Sequence, residues 1–164
     1  MKANFNINNI KLLIGLGNPD KKYKNTYHNI GHRFINYVEK NTNLSNIKTL
    51  ASTTFMNKSG HFVKEKLQYF NLTPQQILVI HDDSDIELGR YKISFNRGSA
   101  GHKGINSIIN HLNTKKFWRL RIGIRPKDFK GKAEKFVLKK ISKENQKEFE
   151  TTFKKILEDL ELTT

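Results

Sequence analysis

The stretch LLIGLGNP, at residues 12–19, decides the fold of this chain. It joins an apolar run to a turn that holds a glycine, the amide of Asn18 and a proline. Short apolar runs that end in Gly and Pro predict buried strands. His28 follows within the segment YHNIG, at residues 27–31. Because open α/β sheets carry their sites at the carboxyl ends of central strands, we expect Asn18 and His28 to face one cleft.

Beyond this stretch, predicted helices and strands alternate along the chain. Helical spacing of apolar residues predicts helices over residues 29–40, 59–71, 105–112 and 143–162. Apolar and alternating runs predict strands over residues 10–16, 47–51, 77–80, 89–95 and 117–124. This alternation indicates one layered α/β domain that spans residues 1–164.

The composition is strongly basic, with a formal net charge of +15, and contains no cysteine. Such an excess favours a polyanionic partner such as nucleic acid, although a coding bias toward lysine also accounts for part of it. The lack of cysteine excludes disulfides and a thiolate nucleophile. No segment approaches a membrane span, and the first residues, MKAN, lack the apolar core of a signal peptide. We therefore expect a cytoplasmic protein without a membrane partner.

Four polar residues follow predicted strands or begin predicted helices: His28, Asp82, Asn18 and Asn57. A carboxylate beside a histidine fixes its tautomer and stabilises its protonated form, so that the histidine can deprotonate water. Side-chain amides can orient a carbonyl group or stabilise an oxyanion. Together they predict a hydrolase that needs neither a covalent nucleophile nor a metal. Taken singly, each residue fits a capping role better, and their joint placement is what favours catalysis.

Other kinds of site receive less support. The segment HDDSD, at residues 81–85, resembles a cluster of metal ligands, but adjacent residues point in different directions, which disfavours a metal. The chain has no G-x-S-x-G elbow for a serine nucleophile. The segment Asn18-Pro19-Asp20 replaces the last part of the G-x-G-x-x-G pattern of dinucleotide sites. We therefore expect neither a metal nor an organic cofactor.

Basic residues of the C-terminal half lie on predicted strand ends and loops, where they fit contacts to phosphate groups. A solvated basic face explains each of them equally well. They are Lys92, Arg97, Lys103, Arg121 and Lys127. The strand over residues 117–124 is predicted to have one basic face, formed by Arg119 and Arg121.

Several short motifs occur in the order found in bacterial peptidyl-tRNA hydrolases. They are GLGNP (15–19), YKNTYHNIG (23–31), TFMNKSG (54–60), ILVIHDD (77–83), GSAGHKG (98–104) and RLRIGI (119–124). The chain resembles this family from Ile10 to about Val137. The resemblance implies a three-layer α/β sandwich, in which a mixed, twisted sheet has helices on both faces. It also implies a monomeric, cytosolic enzyme that cleaves the ester between a peptidyl group and tRNA, without metal or cofactor.

The resemblance also implies roles for individual residues. His28 matches the base that activates water, and Asp82 matches the carboxylate that keeps this histidine basic. Asn18 matches a residue that helps to distinguish an N-blocked aminoacyl group from a free one. Asn57 matches an amide that contacts the substrate near the ester. These roles agree with those expected from the residue types alone.

Further matches concern the tRNA. Tyr23 and Phe55 match residues that line the site of the peptidyl group and of the 3′-terminal nucleotide. Arg121 matches a basic residue near the 5′-phosphate of the acceptor stem. Lys103 stands where the family usually has Asn, so it brings a positive charge close to His28. We expect this charge to alter activity, either by lowering the pKa of His28 or by contacting a phosphate.

Two alternative functions remain open from the sequence. The first is a catalytically weak protein that binds tRNA or another RNA on the same scaffold, because a fold does not by itself fix a function. The second is a metal-dependent phosphoesterase that uses residues 81–85. Sensitivity to a chelator distinguishes the second from a hydrolase centred on His28.

Overall fold

The apolar runs of the sequence form one five-stranded sheet in the computed structural model, which describes residues 4–163. The strands are β1 (Leu12–Gly15), β2 (Lys48–Ala51), β3 (Ile77–Glu87), β4 (Tyr91–Phe95) and β5 (Trp118–Arg125). The helices are α1 (Ile30–Asn41), α2 (Ser59–Phe70), α3 (Lys103–Leu112) and α4 (Lys143–Asp159). Residues 1–3, which belong to the stretch that lacks the core of a signal peptide, and Thr164 lie outside the described residues.

The strand order in the sheet is β2-β1-β3-β5-β4. Only the pairing of β4 with β5 is antiparallel, so the sheet is mixed, as predicted. From β1 the chain passes through α1 to β2 on one side, and then returns to β3 on the other side of β1. This reversal makes the carboxyl ends of β1 and β3 a topological switch point, where open α/β sheets form their binding crevices.

Apolar residues of the sheet are buried on both of its faces, which gives the predicted three layers. On one face, α1 and α4 pack against alternate strand residues such as Leu13, Leu78 and Leu120. On the other face, α2 and α3 pack against the intervening residues, such as Ile14 and Val79. The α/β sandwich with helices on both faces is therefore confirmed. Across residues 4–163, no helix is both long and apolar enough to cross a membrane.

The predicted end of the third strand at Ile80 is wrong. β3 continues through His81, Asp82 and Asp83, which pair with β5, before the register shifts ahead of Glu87. The apolar run stops at Ile80, but β5 extends past the end of β1 and keeps the backbone of β3 paired. The three polar residues therefore project from a fixed strand rather than from a loop.

The predicted basic face of β5 is buried and does not face solvent. Arg119 and Arg121 are 2% and 6% exposed. The guanidinium of Arg119 donates to the carbonyl oxygen of Gly98 at 3.1 Å, and Nε of Arg121 donates to Asp83 at 2.7 Å. Burial, with help from the neighbouring arginines, lowers the pKa of Arg119 to about 10. The sequence pattern shows the charge of this face, but the partners that allow its burial lie on other segments.

Candidate active site

The turn after β1 is held against the start of α1 by the side chain of Asn29. Its amide oxygen accepts from the backbone N–H of Asn18 at 2.9 Å, and its amide nitrogen donates to the carbonyl oxygen of Asn18 at 2.8 Å. Gly31 allows this close approach, because a β-carbon there would lie 2.5 Å from the carbonyl oxygens of Leu16 and Ile80. His28 directly precedes Asn29 in the chain. The two hydrogen bonds therefore fix the position of Asn18 relative to His28.

His28, which is partly buried, and Asp82, which is buried, form a pair at the switch point. Nδ1 of His28 lies 2.9 Å from Oδ2 of Asp82, and their side chains are 13% and 3% exposed. Since a carboxylate only accepts, Nδ1 carries the proton, and Nε2 is left as the unprotonated nitrogen. The backbone N–H of His28 donates to the carbonyl oxygen of Val137 at 2.8 Å, which ties His28 to another residue that lines the cleft.

The second oxygen of Asp82 binds another histidine. Nε2 of His102 lies 2.8 Å from Oδ1 of Asp82. Nδ1 of His102 accepts from the backbone N–H groups of Gly104 and Ile105, at 3.1 and 3.3 Å, and so caps the N-terminus of α3. A nitrogen that accepts carries no proton, so Nε2 of His102 must be the protonated nitrogen that donates to Asp82. The helix start thus fixes the tautomer of His102, and His102 fixes one oxygen of Asp82.

A third imidazole, that of His81, packs against the ring of His102. Nδ1 of His81 lies 2.7 Å from the backbone carbonyl oxygen of Asp82, and the His81 ring meets the His102 ring edge-on at 4.7 Å between centroids. Burial, together with the neighbouring His102 and Arg119 side chains, holds the pKa of His81 well below its usual value. His81 is therefore a neutral packing partner for His102.

The electrostatics of the pair favour a histidine that holds a proton more strongly than usual. Burial lowers the pKa of His28, but the charge and hydrogen bond of Asp82 outweigh it, and the pKa is raised above 6.5. The charge of Lys103 acts in the same direction as burial. Burial would raise the pKa of Asp82, but His28 and His102 hold it well below its usual value. Asp82 is therefore a carboxylate that stabilises the protonated form of His28.

A cavity of about 760 Å³ opens in front of His28. The structure brings most of the predicted site residues to its walls, namely Asn18, Tyr23, His28, Phe55, Asn57, Asp82 and Lys103. The backbone N–H of Met56 donates to Oδ1 of Asn18 at 2.8 Å. The amide nitrogen of Asn18 is therefore left as a donor for a ligand in the cavity.

The walls of the cavity also carry exposed apolar side chains. Phe55 is 44% exposed and Leu138 is 53% exposed, and both line the cavity together with Tyr23. Exposed large apolar groups around a concave site indicate a ligand that has apolar parts. The cavity therefore combines a polar end at His28 with apolar side walls.

Arg121 differs from the other predicted site residues because it does not line the cavity. Its side chain is 7% exposed, and it is ion-paired with Asp83. The position observed for Arg121 is thus structural, and a direct contact with a phosphate requires the ion pair to open.

The side chains able to hold a metal differ from those that the sequence suggested. Ligand atoms of His28, Asp82 and His102 lie within 4.8 Å of one another, whereas the segment 81–85 contributes only Asp82. In the structure, these same atoms are joined by hydrogen bonds through Asp82.

Two residues of the site were missed by sequence reasoning. His102 stands in the motif GSAGHKG, directly before the apolar stripe of α3, which is the place of a helix cap. Asn29 follows His28 in the motif YKNTYHNIG, where its amide fits either a cap or a bridge between segments. Both positions are typical of a capping role. The sequence pattern does not identify the residues, distant in the chain, that these side chains contact.

Comparison with known proteins identifies the family to which this site belongs. The family model described as peptidyl-tRNA hydrolase matches residues 12–164. The chain belongs to the peptidyl-tRNA hydrolase family. The peptidyl-tRNA hydrolase of Ligilactobacillus salivarius is 39% identical over an alignment that covers 70% of this chain and 72% of that protein. That of Clostridium tetani is 38% identical over an alignment that covers 90% of this chain and 87% of the relative.

A solved structure of this family has the same fold. The crystal structure of peptidyl-tRNA hydrolase from Acinetobacter baumannii is 28% identical in sequence and has a TM-score of 0.84. The superposition covers 97% of this chain and 90% of that one. The three-layer arrangement of helices and sheet is therefore the peptidyl-tRNA hydrolase fold.

Proposed function

We propose that this chain hydrolyses the ester bond of peptidyl-tRNA, with His28 as the base that activates water. The observation that carries the proposal is the pair of His28 and Asp82, whose free Nε2 lies at a cavity of about 760 Å³. Membership of the peptidyl-tRNA hydrolase family supports the same substrate. An aminoacyl ester is already activated, so positioning a water molecule and polarising the carbonyl group suffice.

The reaction proceeds through one tetrahedral intermediate. Nε2 of His28 takes a proton from water as the water oxygen bonds to the ester carbonyl carbon. Asp82 stabilises the imidazolium that forms. The amide nitrogen of Asn18 donates to the carbonyl oxygen as it becomes an oxyanion. The intermediate then expels the terminal ribose oxygen of the tRNA, which takes the proton from His28 and leaves the peptide as a free acid.

The remaining residues of the cavity bind the substrate in this proposal. Tyr23 and Phe55 contact the peptidyl group and the 3′-terminal nucleotide with their rings. Asn57 donates or accepts a hydrogen bond near the ester. The acceptor stem is bound mainly through its phosphates by Lys and Arg side chains, and these contacts weaken as salt is raised. Because the substrate is tRNA, we propose that the protein works in the cytoplasm. We also propose that it is a monomer and that residues 1–164 form one domain.

A second candidate function is tRNA binding without hydrolysis, which the high positive charge favours. The geometry favours hydrolysis, because binding of phosphates does not require a buried carboxylate that holds the tautomer of a histidine. The two functions also differ in which variants they tolerate.

The test is release of the N-acetyl-aminoacyl group from N-acetyl-aminoacyl-tRNA in the presence of EDTA. We expect release by the unmodified chain and by His61→Ala, an exposed histidine of α2 that does not line the cavity. We expect no release by His28→Ala, with tRNA affinity retained. Binding of tRNA without release by the unmodified chain would assign the RNA-binding function instead. Release that EDTA abolishes would assign a metal-dependent reaction.

A further inference from the structure

Lys103 is a cation of the cavity that the proposed reaction does not use. It is the first residue of α3, its side chain is exposed, and it lines the same cavity as His28. The preceding residue, His102, has its ring centroid 5.1 Å from that of His28. Within residues 4–163, the ion pairs do not include Lys103. Its ammonium is therefore available to act on a ligand.

Lys103 is one of several charged residues around the cavity. Asp82 is hydrogen-bonded to two imidazoles, and Asp83 forms an ion pair with Arg121. Three further charged residues line the cavity, namely Asp85, Lys132 and Glu134. Of the lining residues, Asp82 raises the pKa of His28 through its charge, and Lys103 lowers it. Lys103 is therefore a cation of the cavity whose charge reaches the catalytic histidine.

The substrate differs from its commonest competitor by one charge. A free aminoacyl-tRNA carries an ammonium on the carbon next to the ester carbonyl, whereas an N-blocked one carries a neutral amide. By standard bond lengths and angles, this nitrogen lies about 2.5 Å from the carbonyl carbon that His28 must reach with water. The α-nitrogen of either substrate therefore lies within a few ångströms of the reacting centre, where a cation close to His28 acts on its charge.

We propose that Lys103 is a specificity-determining residue, whose ammonium repels the α-ammonium of free aminoacyl-tRNA and so restricts hydrolysis to N-blocked substrates. The proposal rests on the hydrolysis proposed for His28. Two unit charges several ångströms apart in a partly buried site change a rate by about tenfold. Asn18 contributes to the same choice by its hydrogen bond, whereas Lys103 contributes by charge and needs no contact. The two contributions are therefore separable by experiment.

The test compares kcat/KM for one tRNA charged with one amino acid, with and without an N-acetyl group, after subtraction of spontaneous hydrolysis. We expect Lys103→Gln to lower the ratio of blocked to free substrate about tenfold, by faster hydrolysis of the free one. Lys103→Arg keeps the charge and should keep the ratio. Lys132→Gln removes a different lysine of the same cavity and should also keep the ratio.

The dependence of this ratio on pH gives a second readout. Both substrates use the same free enzyme, so the titration of His28 cancels in the ratio. The α-ammonium of the free substrate loses its proton at a pH of about 7 to 8. We therefore expect the ratio to fall as the pH rises from about 6 to about 8.5 for the unmodified chain, and to vary less for Lys103→Gln.

An unchanged ratio in Lys103→Gln would overturn the proposal while leaving the hydrolase function in place. If that unchanged ratio comes with an equal loss of kcat/KM for both substrates, the role of Lys103 is that of a phosphate contact. A lack of hydrolysis of the blocked substrate by the unmodified chain would instead remove the hydrolase function, and this proposal with it.

Discussion

Asp82 and Asp83 are neighbours on β3, and both are buried, at 2% and 9% exposure. Successive residues of a strand point to opposite faces of the sheet, so the two carboxylates meet different partners. Asp82 accepts from two imidazoles, whereas Asp83 accepts from the guanidinium of Arg121. An imidazole exchanges protons near neutral pH, and a guanidinium does not. The partner, rather than the burial, separates a carboxylate that supports proton transfer from one that holds a strand in place.

The largest effect is expected when Asp82 is replaced by Asn. His102 must donate through Nε2, because its Nδ1 accepts from the start of α3, so the single oxygen of the new amide pairs with His102. The amide nitrogen then faces Nδ1 of His28 and forces the proton onto Nε2, which removes the base. We expect kcat to fall roughly 10³- to 10⁴-fold, measured with N-acetyl-aminoacyl-tRNA. A loss of less than about tenfold would show that the tautomer of His28 does not depend on Asp82.

Replacement of Asp83 by Asn should act on stability rather than on chemistry. It leaves the charge of Arg121 buried without its partner, and breaking a buried ion pair typically costs about 3–5 kcal/mol. Denaturant unfolding measures this loss. At a temperature where the variant is folded, its pH–rate profile should match that of the unmodified chain. A displaced profile would show that the two carboxylates are coupled, which would break the comparison between them.

A smaller effect is expected for His102→Asn, which separates two roles of one side chain. The oxygen of Asn can still cap α3, but the shorter side chain no longer donates to Asp82. An unpaired buried carboxylate oxygen costs about 1.5–3 kcal/mol, so we expect the free energy of unfolding, measured with denaturant, to fall by about this amount. We expect kcat to fall as well, because Asp82 is no longer held by a second hydrogen bond. His102→Ala is the matched control, because it also removes the cap and should lower stability by about a further 1 kcal/mol.

The smallest effect concerns the pH dependence of Lys103→Gln. Only neutral His28 can accept a proton, and its raised pKa means that kcat/KM falls as the pH drops through a value above 6.5. The charge of Lys103 opposes this rise, so its removal should move the acid limb to still higher pH. The measurement is a pH–rate profile with N-acetyl-aminoacyl-tRNA. A limb that moves to lower pH would contradict the effect expected of the Lys103 charge.

The sequence predicts the elements of the fold well where one face of an element is apolar. The spacing of apolar residues places α1 at residues 29–40 and α2 at 59–71, and the structure has them at Ile30–Asn41 and Ser59–Phe70. β3 is predicted too short, because its second half carries polar residues. Those residues stay in the strand because they pair with β5. β5 is distant in the sequence, so the pattern of residues within β3 does not show this pairing.

The site is predictable in part, for the same reason. The types and spacing of His28 and Asp82 point to a base and its carboxylate, and the structure brings them together. The roles of Asn29 and His102 depend on contacts with segments distant in the chain, which a motif does not show. The burial of Arg121 likewise depends on Asp83, so its charge alone suggested a surface contact.

The cap that His102 places on α3 has a consequence for motion. Rotamer changes of exposed side chains take picoseconds to nanoseconds, whereas local opening of a helix turn takes microseconds or longer. His102 cannot leave Asp82 by a simple rotation without also releasing the amides of Gly104 and Ile105. The lifetime of the arrangement around Asp82 is therefore set by the first turn of a helix, and not by the faster motions of its side chains.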